Sequence, residues 1–112
     1  MTNYTRDDLF RILKGSDELK EMGASEDSIR SAVSQLITTF IDVYGLEVNC
    51  EVPNFKDYGA PRHQYKGEDI MRCLREYTDK VKSHKQSIRK VAANQILSAM
   101  EFWSAFKTKS TK

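Results

Sequence analysis

Apolar residues recur at helical spacing over most of the chain, and the exceptions to that rhythm mark its joints. Near the start, Leu9, Phe10, Ile12 and Leu13 form one face. Thr5 stands ahead of them as an N-cap, with Asp8 three residues on as a weak form of the capping box, and Gly15 ends the turn. Ser16 opens a second, short helix through Met22, with Asp17 and Glu18 at its positive end. Leu19 and Met22 are its core candidates, and Gly23 stops it. Ser25 caps the clearest helix of all. Its stripe is Ile29, Ala32, Val33, Leu36, Ile37, Phe40, Ile41 and Tyr44, and Gly45 is placed to leave it in the left-handed conformation.

The rhythm then changes to period two. Leu46, Val48, Cys50 and Val52 alternate with Glu47, Asn49 and Glu51, the pattern of a half-buried strand, and Pro53 ends it. Residues 54–67 carry Phe55, Tyr58, Gly59, Pro61, Tyr65 and Gly67 and read as an aromatic loop with a return strand at Arg62 to Lys66. A lone strand leaves its backbone groups unpaired, so 46–52 requires that return strand, a second subunit or another protein.

From Glu68 to Lys107 there is neither Gly nor Pro. Apolar or half-apolar residues fall at 70, 74, 77, 81, 84, 88, 92, 96, 99, 103 and 106, a mean spacing of 3.6, the period of a straight helix. One helix of that length would span ~60 Å, against a radius of gyration of ~13 Å for a compact chain of this size. Ser83-His84-Lys85-Gln86 matches a capping box, which favours two helices broken there. The length and the large residues Trp103 and Phe106 also predict self-association through 68–107. The fold expected is therefore a mainly α, small helical domain or bundle over 1–107. It carries a short β-like or irregular insertion near residues 46–66, and 108–112 form a flexible tail.

Composition narrows the function classes. The 112 residues carry a formal net charge of +2, too balanced for a strongly basic nucleic-acid protein and too short for a two-domain enzyme. No window reaches the ~18 consecutive apolar residues of a membrane helix, and Met1 to Leu13 lack the apolar stretch of a signal peptide. Cytoplasmic residence without membrane contact is the expectation, and Cys50 and Cys73 read as buried free thiols. The charge is uneven. Residues 1–55 hold five basic and ten acidic residues, a net of −5, whereas 56–112 hold thirteen and six, a net of +7. The two halves either attract each other in the fold or form separate acidic and basic working faces.

Catalytic signatures are weak. The chain has no Gly-rich phosphate loop, no HExxH and no nucleophile elbow. Cys50, His63, Cys73 and His84 include no close ligand pair. No catalytic residue, cofactor or metal is expected.

Binding signals are stronger. Lys80, Lys82, His84, Lys85, Arg89 and Lys90 form a run with no acid from 80 to 90. Lys82, Lys85 and Arg89 lie at steps of three and four and share one helical face. Arg62, Tyr65 and Lys66 add arginine and aromatic character typical of protein interfaces. The favoured reading is a non-catalytic regulator, inhibitor or adaptor. It would bind a protein with an acidic surface, which could be a second copy of the chain, through Arg62, Tyr65, Lys66, Lys82, Lys85 and Arg89.

The alternative is a nucleic-acid-binding regulator. Leu19-x-x-x-Gly23-Ala24-Ser25, followed by Ile29 and Ala32, resembles a helix-turn-helix unit over 16–44. Ser28, Arg30, Ser31 and Gln35 would then face bases, with Lys80, Lys82, Lys85, Arg89 and Lys90 along the backbone. Glu26 and Asp27 at the leading end oppose it, because DNA affinity leans on phosphate neutralisation.

Overall fold

A computed structural model describes residues 3–47 and 63–110, with side chains through Ala105. The described elements are β1 (Asn3–Tyr4), α1 (Arg6–Lys14), α2 (Asp17–Glu21), α3 (Glu26–Tyr44), β2 (Tyr65–Lys66), α4 (Gly67–Val81) and α5 (Ile88–Ser110). The domain is mainly helical with one small two-stranded sheet.

Local chemistry sets the helix starts. Thr5 Oγ1 accepts from the Asp8 amide at 3.2 Å, and Asp8 Oδ2 accepts from the Thr5 amide at 2.9 Å, so the capping box closes in both directions. Ser16 Oγ accepts from the Leu19 amide and Ser25 Oγ from the Ser28 amide, each satisfying an amide that has no partner inside its own helix. Gly45, at φ 70°, closes α3, and the Gly45 and Leu46 amides both reach the Phe40 carbonyl. α3 has no basic residue in its last turn. Arg72 of α4 supplies one from outside, donating to the Tyr44 carbonyl at 3.1 Å.

The long C-terminal segment is two helices. α4 ends at Val81 and α5 begins at Ile88. The cap differs from the expected one. Ser87 Oγ, not that of Ser83, accepts from the first turn of the new helix, at the Lys90 amide. Gln86 leaves the capping-box role and donates instead to Glu18 of α2. Capping at Ser87 leaves residues 82–87 for the reversal that lets α5 return along α4. Arg75 and Glu101 pair across the two helices at 3.4 Å.

α5 is the element around which the others pack. Val91, Ala92 and Ala93 are three consecutive buried residues, which a helix packed on a single face cannot have. α1, α2, α3 and α4 all contact it, and the two alanines keep the neighbouring backbones close. The core joins Leu9, Phe10 and Leu13 of α1, Leu19 of α2, Val33, Leu36 and Phe40 of α3, Ile70 and Leu74 of α4, and Ile96 and Met100 of α5.

Among the described residues the sheet is a pair of two-residue strands, and the expected pairing of 46–52 with the return strand falls on residues outside the described ones. Tyr65 and Lys66 form a strand whose described partner is the N-terminus: Asn3 aligns with Lys66 and Tyr4 with Tyr65, antiparallel. Of the period-two segment, Leu46 is buried and 48–52 lie outside the described residues, as do Cys50, Phe55, Tyr58 and Arg62. α5 runs to Ser110, past Thr108, where the sequence pattern starts a tail.

Cys73 is fully buried in α4, and burial pushes its thiol above the ordinary value of 9.0. The unfolded chain therefore loses the thiol proton first as pH rises. Below that ordinary value the contribution to stability is intact, and it is lost as pH climbs toward the folded value. Urea unfolding from pH 7 to 10.5 is expected to show a fall in stability above about pH 9. The fall should be shallower in Cys73→Ala. Equal slopes in the two proteins would contradict this account of Cys73.

Candidate functional site

The first turns of α3 and α5 and the last turn of α4 enclose a cleft of about 830 Å³. Its polar wall is Ser28, Ser31 and Gln35 of α3, opposite Lys85, Arg89 and Lys90. Ala32, Tyr77, Val81 and Ile88 supply apolar surface between the walls. Two groups far apart in sequence, the polar face of α3 and part of the basic run, thus meet at one place.

Hydrogen bonds order the walls. Ser25 and Ser28 hydroxyls lie 2.9 Å apart. Gln35 donates to Ser31 Oγ at 3.4 Å and accepts from the Arg89 guanidinium, so Arg89 reaches across the cleft. Lys90 turns its ammonium inward along the α4–α5 connection, donating to the Lys82 carbonyl at 2.9 Å and the His84 carbonyl at 2.8 Å. Lys90 is thereby a clamp on the connection as well as a wall of the cleft. Lys90→Met is expected to speed amide exchange over 83–87 several-fold while costing global stability only about 0.5–1.5 kcal/mol. Unchanged exchange in that segment would contradict the clamp.

The electrostatics of the cleft are one-sided. α1, α2, α3 and α4 each open on a pair of acids: Asp7 and Asp8, Asp17 and Glu18, Glu26 and Asp27, Glu68 and Asp69. α5 has no acid in its first turn and places Arg89 and Lys90 there, beside the positive end of its own dipole. Among the described residues Asp27 is the single acid lining the cleft. Lys85 is exposed and has no ion pair among the described residues.

The expected single face of Lys82, Lys85 and Arg89 does not exist. Lys82 follows the end of α4, Lys85 lies in the connection, and Arg89 is in the first turn of α5. The break removes the common helical phase, yet the fold returns Lys85 and Arg89 to one cleft. Lys82 instead lies 3.4 Å from Asp79, with both side chains at least three-quarters exposed, a contact of little energetic weight. Lys80 is exposed near the end of α4.

The second predicted group does not join the first. Tyr65 is 0 % exposed and belongs to the core, so it offers no contact surface. Lys66 is exposed at the start of α4, about 22 Å along that helix from Val81. Arg62 lies outside the described residues. Arg30 also separates from Ser28, Ser31 and Gln35. Its guanidinium stacks 3.9 Å over the Phe10 ring and lies 3.8 Å from Asp7 Oδ1, turned toward α1.

Several cleft residues carried no signal of their own in the sequence. Tyr77, Val81 and Ile88 stand in the long apolar stripe, which marks them as core, but the helix break leaves each of them half-exposed. Among the described residues no three His, Cys, Asp or Glu side chains are grouped to hold a metal. No described helix is long and apolar enough to cross a membrane. Comparison of the chain with protein-family models, with curated proteins and with solved structures gives no match.

Proposed function

We propose that the protein is a non-catalytic regulator or adaptor that works by holding an acidic segment of another protein in the cleft between α3 and α5. The observation that carries this reading is the convergence of Lys85, Arg89 and the acid-free start of α5 on a cleft that also exposes Tyr77, Val81 and Ile88. Carboxylates of the partner would meet the cations, and an apolar side chain would lie against the surface between the walls. Entry of the partner would release Arg89 from Gln35, and the freed Gln35, with Ser28 and Ser31 beside it, would take the partner's backbone.

The same geometry gives less support to nucleic acid. Arg30 is engaged with Asp7 and Phe10, and Glu26 and Asp27 occupy the leading turn. Lys90 spends its donors on two carbonyls. Few cations remain to neutralise phosphates.

The test is a titration of the ¹⁵N-labelled protein with a capped ten-residue peptide of glutamates and two leucines. Amide shifts should concentrate at Ser28, Ser31, Gln35, Val81, Lys85, Ile88 and Arg89. Shifts centred elsewhere, or none at millimolar peptide, would overturn the assignment of the cleft.

A further inference from the structure

We infer that the opposite end of the molecule, where the last turns of α5 pass α1 and the start of α4, is a two-fold contact with a second copy of this chain. A helix too long for a compact monomer no longer argues for association, since the segment is broken. The argument comes instead from what the break leaves behind. α5 returns along α4, with Glu101 opposite Arg75 and with Trp103 and Ser104 beside Gly67, Glu68 and Met71. Glu101 to Ala105 are all exposed. On that stretch stands Trp103, the chain's one tryptophan, 58 % exposed.

Trp103 borders a groove of about 600 Å³ whose apolar lining includes Tyr4, Ile12, Met71 and Met100. A projecting ring and an apolar recess therefore share one face. A two-fold interface demands this, because each copy presents the same patch and must supply both the inserted group and its receptor. The groove is also bordered by charges of both signs, Glu68 and the Asp8–Arg11 pair, whose members lie 3.6 Å apart. A nucleic acid or an anionic membrane would be matched by a border of one sign, whereas a patch meeting its own copy needs both. In the dimer Trp103 of each copy enters the groove of the other. A single inserted ring from each copy, with a polar border, corresponds to an affinity in the micromolar range rather than the nanomolar. The contact lies at the far end of α4 from the basic cleft, which leaves the cleft open in the dimer.

Sedimentation equilibrium of the full chain between about 1 and 300 µM tests this. The expected result is a monomer–dimer equilibrium with Kd of about 1–100 µM. Trp103 emission should shift to the red on dilution, and concentration-dependent amide shifts should fall at Tyr4, Ile12, Met71 and Trp103. Trp103→Ser removes an exposed side chain. It should leave far-ultraviolet circular dichroism unchanged and keep the protein monomeric throughout. A wild-type monomer at 300 µM would overturn the inference. So would a dimer whose shifts map to Ser31, Lys85 and Arg89, or one that survives Trp103→Ser at unchanged Kd.

Discussion

Phe40→Ala is expected to lower the free energy of unfolding by about 3–5 kcal/mol, the largest loss from any single side chain of α3. Phe40 is 1 % exposed. Its ring meets Tyr77 of α4 edge-on, with centroids 6.3 Å apart and planes at 73°, and lies 6.3 Å from the Tyr44 ring. Its carbonyl also receives the amides that close α3. Truncation would therefore leave a cavity where α3 meets α4, beside the Arg72 contact to Tyr44. A domain of this size has ~5–15 kcal/mol in total, so the variant should be partly unfolded at 37 °C. Urea titration should show a lower midpoint at unchanged m. The exposed Thr38→Ala, two residues away on α3, should stay within about 0.5 kcal/mol of the parent. A Phe40→Ala loss below ~1.5 kcal/mol would mean that α3 and α4 are not packed as described.

The largest effect on binding is expected from Lys85→Glu combined with Arg89→Glu. Both residues are exposed at the mouth of the cleft, so the exchange should leave the fold intact, with the Gln35 contact of Arg89 the one hydrogen bond sacrificed among the described residues. Two cations become two anions beside Asp27. Affinity for the acidic peptide should fall at least tenfold, about 1.4 kcal/mol. The association rate should fall as well, since steering responds to summed charge. Lys14→Glu with Lys66→Glu makes the same change in net charge on other elements, α1 and the start of α4. That pair should leave affinity within about twofold at 150 mM salt, where charges more than ~8 Å apart are screened. Equal losses in the two double variants would show that net charge alone, and not the cleft, governs binding.

What could be read from the sequence divides by the range of the interactions. The caps at Thr5, Ser16 and Ser25 and the exit at Gly45 depend on residues within a few positions of one another, and each forms as its local pattern specifies. β1 was not legible. Two residues carry no periodicity, and their hydrogen bonds go to a strand some sixty residues away. The break after Val81 was legible, but its cap was not. Ser83 and Ser87 both satisfy a local cap rule, and the return of α5 along α4, with Gln86 drawn to Glu18, decides between them. The site shows the same division. Lys85 and Arg89 were visible as part of an acid-free run, and Ser28, Ser31 and Gln35 as the open face of a helix. That the two groups line one cleft depends on how α5 crosses α3, which no short-range pattern records. Tyr65 is the converse case. An aromatic next to Lys66 suggested an interface, and the pairing with Tyr4 turns it into the core.

The central claim is that the cleft serves an acidic protein segment rather than a nucleic acid. Its most direct test is one set of titrations at 150 mM salt, in which the protein meets the acidic peptide, a short DNA duplex, single-stranded DNA and RNA. The account predicts saturable binding of the peptide at micromolar concentration, abolished by Lys85→Glu with Arg89→Glu. It predicts nucleic-acid contact no tighter than the high-micromolar attraction of any cationic surface. Binding of duplex or single strand below ~1 µM, lost in the same double variant, would contradict it. Sequence preference lost on changing Arg30 or Gln35 would then point to α3 as a reading helix.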